Sequence, residues 1–486
     1  MTTHIEELEI IDSGYIPPAL EDIKILVDMV MILENPKTGD IFYKFSPMST
    51  ALATIRKLHV ITINQNVYFY DFKKGIYVPD DGDIESWLLN QIYFLINNNT
   101  ISQPKQISRL LQEVMTLIKK NKIYTENPFN RYEGIPVNNG VLTLNNNKWQ
   151  IEPFTPEHKF TWKMTVDWDP SASPSKIIEI LKQWQPKSTI IGDYEDKTET
   201  ILEDWMALVQ IPAQTLWQAL KHKNIKTSYL LVGSKDAGKS TYMDMLSLLF
   251  KNNCSHIDIM EYNSRWTNKA LLGNIINIAD ECDTGELFSP AIAKLKRLTG
   301  STEQQIEEKF RNSYTADIIC THVFAANAPP KIQKSQCKDD AFWDRWVYLN
   351  WNEEFPRVKN WFNTNIVPNL PGFLNLVLEM IVDINKNDGI LPYKQDFDAV
   401  QHMWLNHDDP LYDWIDNNCI FNPNGYVTKD NLWLRIQEDS KLIEGLPKTK
   451  SKLGREIIRR YGEIIGNTQR MFNKKRVKIW KGIELK

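Results

Sequence analysis

The chain has 486 residues, 42% of them hydrophobic and 24% charged, with a net charge of −4. That length exceeds one ordinary hydrophobic core, so several domains are expected. The five cysteines are scattered and form no C-x-x-C pair, which argues against a disulfide framework or a cysteine-based zinc site. No apolar run stands out at the roughly 18 residues of a membrane helix, and the acidic, polar start "MTTHIEELEIIDSGY" does not read as a secretory signal. A cytoplasmic protein without membrane contact is expected.

Residues 1–130 read as a mixed α+β region of unknown role. In it, "VYFYDFKKGIYVPDD" suggests two short strands around a Lys-Gly turn, and "IESWLLNQIYFLI" and "ISRLLQEVMTLIKK" have helical periodicity. Residues 131–220 begin with "VNNGVLTLNNNKWQIEPF", a hairpin with Asn-rich turns. A helix start at "DPSASPSKIIEILKQW" and a helix over Glu195 to Leu220 follow. Asp167-x-Asp169 in "TVDWDP" superficially fits the paired carboxylates of a primase, but no His/Asp cluster accompanies it, and an Asp-Pro turn explains it. Strand and helix patterns alternate over 221–356, and a connecting helical segment spans 357–406. The last block, 407–486, shows three short helices and the hairpin "RMFNKKRVKIWKGIEL", a winged-helix pattern.

"LVGSKDAGKST" contains Gly233-x4-Gly238-Lys239-Ser240, between the buried-strand run "YLLV" and the amphipathic "TYMDMLSLLF". Such glycines let main-chain N–H groups face phosphate oxygens at a helix N-terminus. The loop Gly233, Ser234, Lys235, Asp236, Ala237, Gly238, Lys239, Ser240 and Thr241 is therefore the candidate ATP site. Lys239 would reach the outer phosphates, and Ser240 would hold Mg²⁺.

Further on, "NIINIADECD" is a strand run ending in Asp280-Glu281, 41 residues after Lys239. Asp280 suits the metal shell and Glu281 suits a base for water; an exposed acidic turn is the plainer alternative. "IICTHVFAANAPP" ends a second strand run in Asn327, placed to orient water or sense phosphate, or simply to turn the chain. Arg345, 18 residues later in "DDAFWDRWVYLNW", could stabilise charge in a neighbouring subunit's site or pair with Asp344 or Asp340.

The order and compactness of these pieces resemble the superfamily 3 helicases, a branch of the AAA+ ATPases, and above all the helicase portion of phage, plasmid and poxvirus-type primase–helicases. The stretches that carry the resemblance are "NNGVLTL…PFTPEHKFTWKMTVDWDP", "LLGNIINIADECD", "LKRLTGSTEQQIEEKFRNSYTADIICTHVFAAN" and "DDAFWDRWVYLNW", over roughly residues 130 to 355. The resemblance implies an α/β fold: an AAA+ phosphate-loop ATPase core, a mixed α+β N-terminal region and a C-terminal winged-helix-like domain. It also implies a homo-hexamer moving 3′ to 5′ on single-stranded or forked DNA, with a primase or polymerase as possible partner. In the family a β-hairpin enters the ring channel and touches DNA. Here that hairpin would carry Lys309 and Arg311 around Phe310, with Lys296 and Arg297 behind them. The chain departs from the family in Gly300-Ser301-Thr302-Glu303, where a Gly-Gly-Asp-like turn is usual, and in Asp344-Arg345, where paired arginines are common.

From Lys448 to the end there are 13 Lys and Arg against 3 Asp and Glu, a net +10, against −14 for the rest. On the helix "SKLGREIIRRYG", Leu453, Ile457 and Tyr461 share one face, and Lys452, Arg455 and Arg459 fall on another. This suits duplex origin DNA gripped through its phosphates, or a packed domain with a solvated basic face. An ATP-dependent replicative helicase of a virus, plasmid or mobile element is the first expectation. An origin-binding initiator or loader that never unwinds is the second, and a phosphate-loop ATPase acting on proteins is the third.

Overall fold

A computed structural model describes residues 30–34, 37, 41–63, 65–97, 106–121, 124, 126–192, 199–309, 312–332, 336, 338–407, 410–441, 443, 446–461, 465–472 and 475–486. The fold is mixed α/β, with helices and several separate sheets. In the N-terminal region, Asn66–Asp71 and Ile76–Pro79 are the two strands around the Lys-Gly turn, and Ile61–Ile63 adds a third. The helices Asp83–Asn97 and Ile107–Lys120 lie where the periodicity places them. Leu111, Val114, Met115 and Ile118 form the buried stripe of the second, against Phe69, Trp87 and Leu88.

The Asn-rich hairpin pairs Gly140–Asn145 with Lys148–Glu152. Asn146 and Asn147 both have positive φ (51° and 60°), as a two-residue turn matching strand twist requires. One expected element is corrected. Residues Glu199–Glu203 form a strand against Ser188–Gly192, and the helix begins only at Trp205. The β-branched Thr200 and Ile201 favour the extended form there.

The centre is a five-stranded, all-parallel sheet. Its strands are β1 (Ser228–Gly233), β2 (Cys254–Ser255), β3 (Ile276–Ala279), β4 (Thr321–Ala326) and β5 (Trp346–Trp351), in spatial order β2-β3-β4-β1-β5. Four helices cover it: α1 (Trp205–Lys221), α2 (Lys239–Leu249), α3 (Ser289–Gly300) and α4 (Leu370–Lys386). Tyr229 and Leu231 of β1 join the cluster of α1, α2 and α4, whereas Leu230 and Val232 join that of α3. Burial on both faces explains why these strands read as unbroken apolar runs. Helical residues Trp361–Lys386, ending in α4, are long and apolar enough to cross a membrane by length and composition, with a mean hydropathy of 1.3. Half of that window is buried inside the protein, and Phe373, Leu374, Val377 and Ile381 of α4 share the core of α1.

Helix α1 carries Pro212 in its interior, which removes the N–H that would bond the Leu208 carbonyl. The Tyr242 hydroxyl of α2 donates to that carbonyl instead, at 2.6 Å. Further along the same helix, Gln210, Gln214 and Gln218 form a buried ladder. Gln210 Nε2 donates to the Tyr393 carbonyl (2.8 Å), the Tyr229 hydroxyl donates to Gln214 Oε1 (2.7 Å), and Gln218 Nε2 donates to Thr321 Oγ1 (2.9 Å). Full pairing makes such a polar stripe tolerable in a core and fixes the helix in one register over β1 and β4.

After helix Phe397–Leu405, the C-terminal block runs helix Pro410–Asn418, strand Cys419–Thr428, helices Lys429–Asp439 and Lys450–Tyr461, then strands Gly466–Phe472 and Lys475–Leu485. The last two strands pair as expected. The strand Cys419–Thr428 was not foreseen, and it pairs with Lys475–Leu485 on the outer side. Its centre, Phe421 to Gly425, contains Pro and Gly and holds a register shift, which hides it from a strand pattern.

The bond between α1 and α2 gives a stability test. Tyr242→Phe leaves the Leu208 carbonyl buried and unpaired and should cost about 1–3 kcal/mol in urea unfolding. In a Pro212→Ala background, where an N–H returns to that carbonyl, the same change should cost much less. Equal costs in both backgrounds would refute this account.

Candidate functional site

The candidate site lies at the carboxyl ends of the parallel strands, where α/β sheets place their ligands. β1 ends at Gly233, and the chain reaches α2 at Lys239. Neither glycine has room for a side chain. A Cβ at Gly233 would stand 2.0 Å from the Trp351 carbonyl oxygen, and one at Gly238 would stand 2.8 Å from Trp184 Nε1. Gly238 also has φ 94° and Asp236 φ 60°, the left-handed turns that curl the loop. Trp184 stacks at an angle on Trp351, Tyr242 and Trp361, a ring cluster that supports the loop from below.

Lys239 is buried, 8% exposed, and its Nζ donates to the carbonyls of Gly233 (2.6 Å) and Ser234 (2.7 Å). Burial lowers its pKa, against the opposing pull of the Asp280 and Glu281 carboxylates. An ammonium folded onto its own loop, with exposed Ser234, Lys235, Asp236 and Ser240 and half-buried Thr241 around it, is an anion cradle in need of an anion. Ala237 is buried and packs into the core. Among the described residues, no side chain caps the N-terminus of α2. These donors fit a nucleotide triphosphate, and the Ser240 hydroxyl with the Asp280 carboxylate fits a magnesium shell.

β3 delivers the acidic pair beside Lys239. Asp280 and Glu281 are both exposed, Glu281 has φ 55°, and its N–H is bonded to Asp280 Oδ1 at 3.0 Å. The turn is pinned by the Cys282 N–H, which donates to the Ala325 carbonyl of β4 (2.8 Å), and by the Asp283 N–H, which donates to Asp258 Oδ2 (2.8 Å). Asn327 follows the end of β4 and is exposed. Lys239, Asp280, Glu281 and Asn327 thus stand at one sheet edge.

Arg345 does not join them. It precedes β5, with its carbonyl accepting from the Ser228 N–H at the start of β1 (2.6 Å), so it lies at the opposite edge. Six strand residues separate it from the loop, about 20 Å. It is 8% exposed, its Nε donates to Thr299 Oγ1 (3.1 Å), and its Nη1 donates to the Ala341 carbonyl. Burial lowers its pKa, opposed by Asp344 and Asp339. Of the two expected surface partners, Asp344 bonds Lys394 (2.6 Å), and the Arg345 guanidinium closes the end of α3.

Between α3 and β4 a hairpin pairs Glu303–Ile306 with Tyr314–Asp317, in the register Glu303↔Asp317 to Ile306↔Tyr314. Its base is tied down by Asp317, which accepts from Arg131 (2.8 Å) and sits 3.1 Å from His222 Nε2. Near the tip, Glu307 pairs with Arg265 (2.8 Å) and Glu308 with Lys269 (2.6 Å), and Lys309 is exposed. Phe310 and Arg311 lie outside the described residues. Lys296 is spent on Asp339, to both carboxylate oxygens (2.9 and 2.8 Å), whereas Arg297 is exposed. Asp167 accepts from Asn138 Nδ2 (2.8 Å), which ties it to the Asn-rich hairpin region, and Asp169 accepts from Ser171 Oγ (2.7 Å) in a local turn.

In the C-terminal block, Leu453, Ile457 and Tyr461 are buried and Lys452 and Arg455 are exposed, as the helical spacing predicts. Arg459 is in the helix, but its side chain lies outside the described ones. Arg476, Lys478 and Lys481 are exposed on the final strand.

Sequence reasoning missed Arg357. Its Nε (2.9 Å) and Nη2 (2.7 Å) both reach Asp236 Oδ1 in the glycine loop before α2, and the Phe355 N–H donates to the Asp236 carbonyl (3.0 Å). The segment after β5 therefore straps the loop. Parallel pairing of β1 and β5 brings it there, and no local motif announces it.

The profile of a family of unknown function (DUF5906) matches residues 231–345, from within β1 to Arg345. No curated protein matches the chain. Among solved structures it is similar to the apo C-terminal region of NrS-1 (residues 305–718), at 15% identity, over 94% of this chain and 96% of that one, with a TM-score of 0.40. A second structure, the A form of the apo NrS-1 C-terminal region, gives 15% identity, 93% and 96% coverage and a TM-score of 0.39.

The position of Arg345 yields a stability prediction. Arg345→Ala should lower unfolding stability by about 1–3 kcal/mol, because it strips partners from the Thr299 hydroxyl and the Ala341 carbonyl. An unchanged urea midpoint would show that the guanidinium is not structural.

Proposed function

We propose that the chain is an ATP-dependent DNA helicase or translocase for the replication of a virus, plasmid or other mobile element. One observation carries the reading: Lys239 in its glycine-lined loop faces Asp280 and Glu281 across the carboxyl edge of the sheet, and the next segment of chain raises a hairpin with Lys309 exposed at its tip. In this reading the loop amides and Lys239 grip the triphosphate, and Ser240 and Asp280 hold Mg²⁺, which neutralises phosphate charge. Glu281 takes a proton from the attacking water, and Asn327 orients that water. Movement at this edge reaches the hairpin through the Asp283–Asp258 contact and α3, and Lys309 with Arg311 drags one strand by its phosphates. A ring of subunits, of hexameric size by the resemblance, and a primase or polymerase partner belong to the same proposal.

A second reading is favoured by the exposed cations Lys452 and Arg455 on a helix next to a basic hairpin. There the protein binds duplex origin DNA and uses ATP as an assembly switch. Strand displacement on a forked duplex with ATP and Mg²⁺ separates the two. We expect the native protein to unwind, Lys239→Ala to lose ATP turnover by at least a hundredfold, and Lys309→Ala/Arg311→Ala to hydrolyse ATP without unwinding. ATP turnover and DNA binding with no displacement by the native protein would favour the initiator.

A further inference from the structure

A cavity of about 370 Å³ lies well away from the phosphate loop, between the N-terminal sheet and the Asn-rich hairpin region. That volume is within the range of small-ligand sites. One wall is the turn Phe72, Lys73, Lys74 and Gly75, and the other holds Phe154, Glu157 and Lys163. Nothing in the ATPase reading uses it.

Its walls are fixed to one another. Asp71, 3% exposed, accepts from the Lys73 and Lys74 N–H groups, both at 3.0 Å, and pairs with the Lys74 ammonium at 3.0 Å. It thus shapes the turn and holds that cation at the cavity, where a phosphate would have to share it. Gly75 has φ 74°, and a Cβ there would stand 2.3 Å from the Phe154 ring, so the turn is pressed onto the opposite wall. The Tyr77 N–H donates to the Phe160 carbonyl (2.7 Å) and joins the two regions again. Phe72 remains 48% exposed, yet its ring is held edge-on to Tyr70 at 5.0 Å and tilted to His59 at 5.8 Å. Lys163 lies over the Phe154 ring at 5.4 Å, and burial lowers its pKa.

A fixed, exposed aromatic face beside three lysines suits a nucleotide unit: a base stacks, and ammonium groups take its phosphate, while the Glu157 carboxylate can only accept hydrogen bonds. We propose that this cavity binds one nucleotide of a single strand, its base on Phe72 and its phosphate on Lys73, Lys74 and Lys163. Asn138 and Glu157, also in the lining, supply polar contacts to the base edge. The choice of a strand as source rests on the DNA reading above; the stacking and charge chemistry holds equally for a free nucleotide.

The test uses the full chain. A labelled dT20 carrying 5-iododeoxyuridine is bound, its affinity and salt dependence are measured, and its photo-crosslinks are mapped. Crosslinks to Phe72 or Phe154 are expected. Phe72→Ala should weaken binding roughly 5- to 100-fold, and Lys73→Ala/Lys74→Ala should reduce the salt slope by about 1.4. Both variants should keep DNA-free ATP turnover, which separately reads the phosphate-loop proposal. Saturation of the cavity by dTMP, read as quenching of crosslinks from 5-iodo-dUMP, with no oligonucleotide crosslink there, would assign the site to a free nucleotide. Unchanged affinity and slope, with crosslinks only elsewhere, would overturn the proposal.

Discussion

The arrangement turns on a single buried ammonium. Among the described residues, Lys239 has no carboxylate in contact, and its Nζ donates to two main-chain carbonyls of its own loop. Taking a charge out of water with so little compensation costs free energy unless an anion arrives. The loop can hold it only because Gly233 lies against the Trp351 carbonyl and Gly238 against the Trp184 ring, where no other residue fits. Everything that fixes β5, Trp184 and α2 therefore also fixes the charge.

That fixing is spread over distant parts of the chain. Pro212 frees a carbonyl on α1, and Tyr242, on the first turn of α2, takes it. The Gln210–Gln214–Gln218 ladder holds α1 over the sheet, and Arg357 returns from beyond β5 to clasp Asp236. Arg357 and Asp236 are both substantially exposed, so their pair contributes little to stability by itself. Its consequence is geometric: it ties the loop to the chain leaving β5.

Much of this was legible in the sequence because local patterns encode it. The glycine spacing, the apolar runs of β1, β3 and β4 and the acidic pair are contiguous signals. So are the Leu453–Ile457–Tyr461 stripe and the Asn146–Asn147 turn. What escaped depends on long-range pairing. Glu199–Glu203 runs directly into the helix that starts at Trp205, so it reads as part of that helix until its pairing with Ser188–Gly192 is known. Cys419–Thr428 is broken by Pro423 and Gly425 and becomes a strand through Lys475–Leu485. Arg357 and Trp184 reach the loop only once β5 is parallel to β1. Lys296 illustrates the reverse case: a cation that reads as available is neutralised by Asp339, over 40 residues away.

Arg345 shows how burial constrains a functional assignment. A guanidinium that completes a neighbouring subunit's site must face outward, yet this one is turned in on Thr299 and the Ala341 carbonyl. To leave, it would give up its bonds to the Thr299 hydroxyl, which keeps its own bond to the Leu295 carbonyl (2.9 Å), and to the Ala341 carbonyl, and it would have to open the packing that buries it. Arg297 lies two residues before Thr299 on α3 and is already exposed. An intersubunit contact can recruit Arg297 without that cost. If Arg345 acts across a boundary, the contact that draws it out must therefore first rebuild the end of α3.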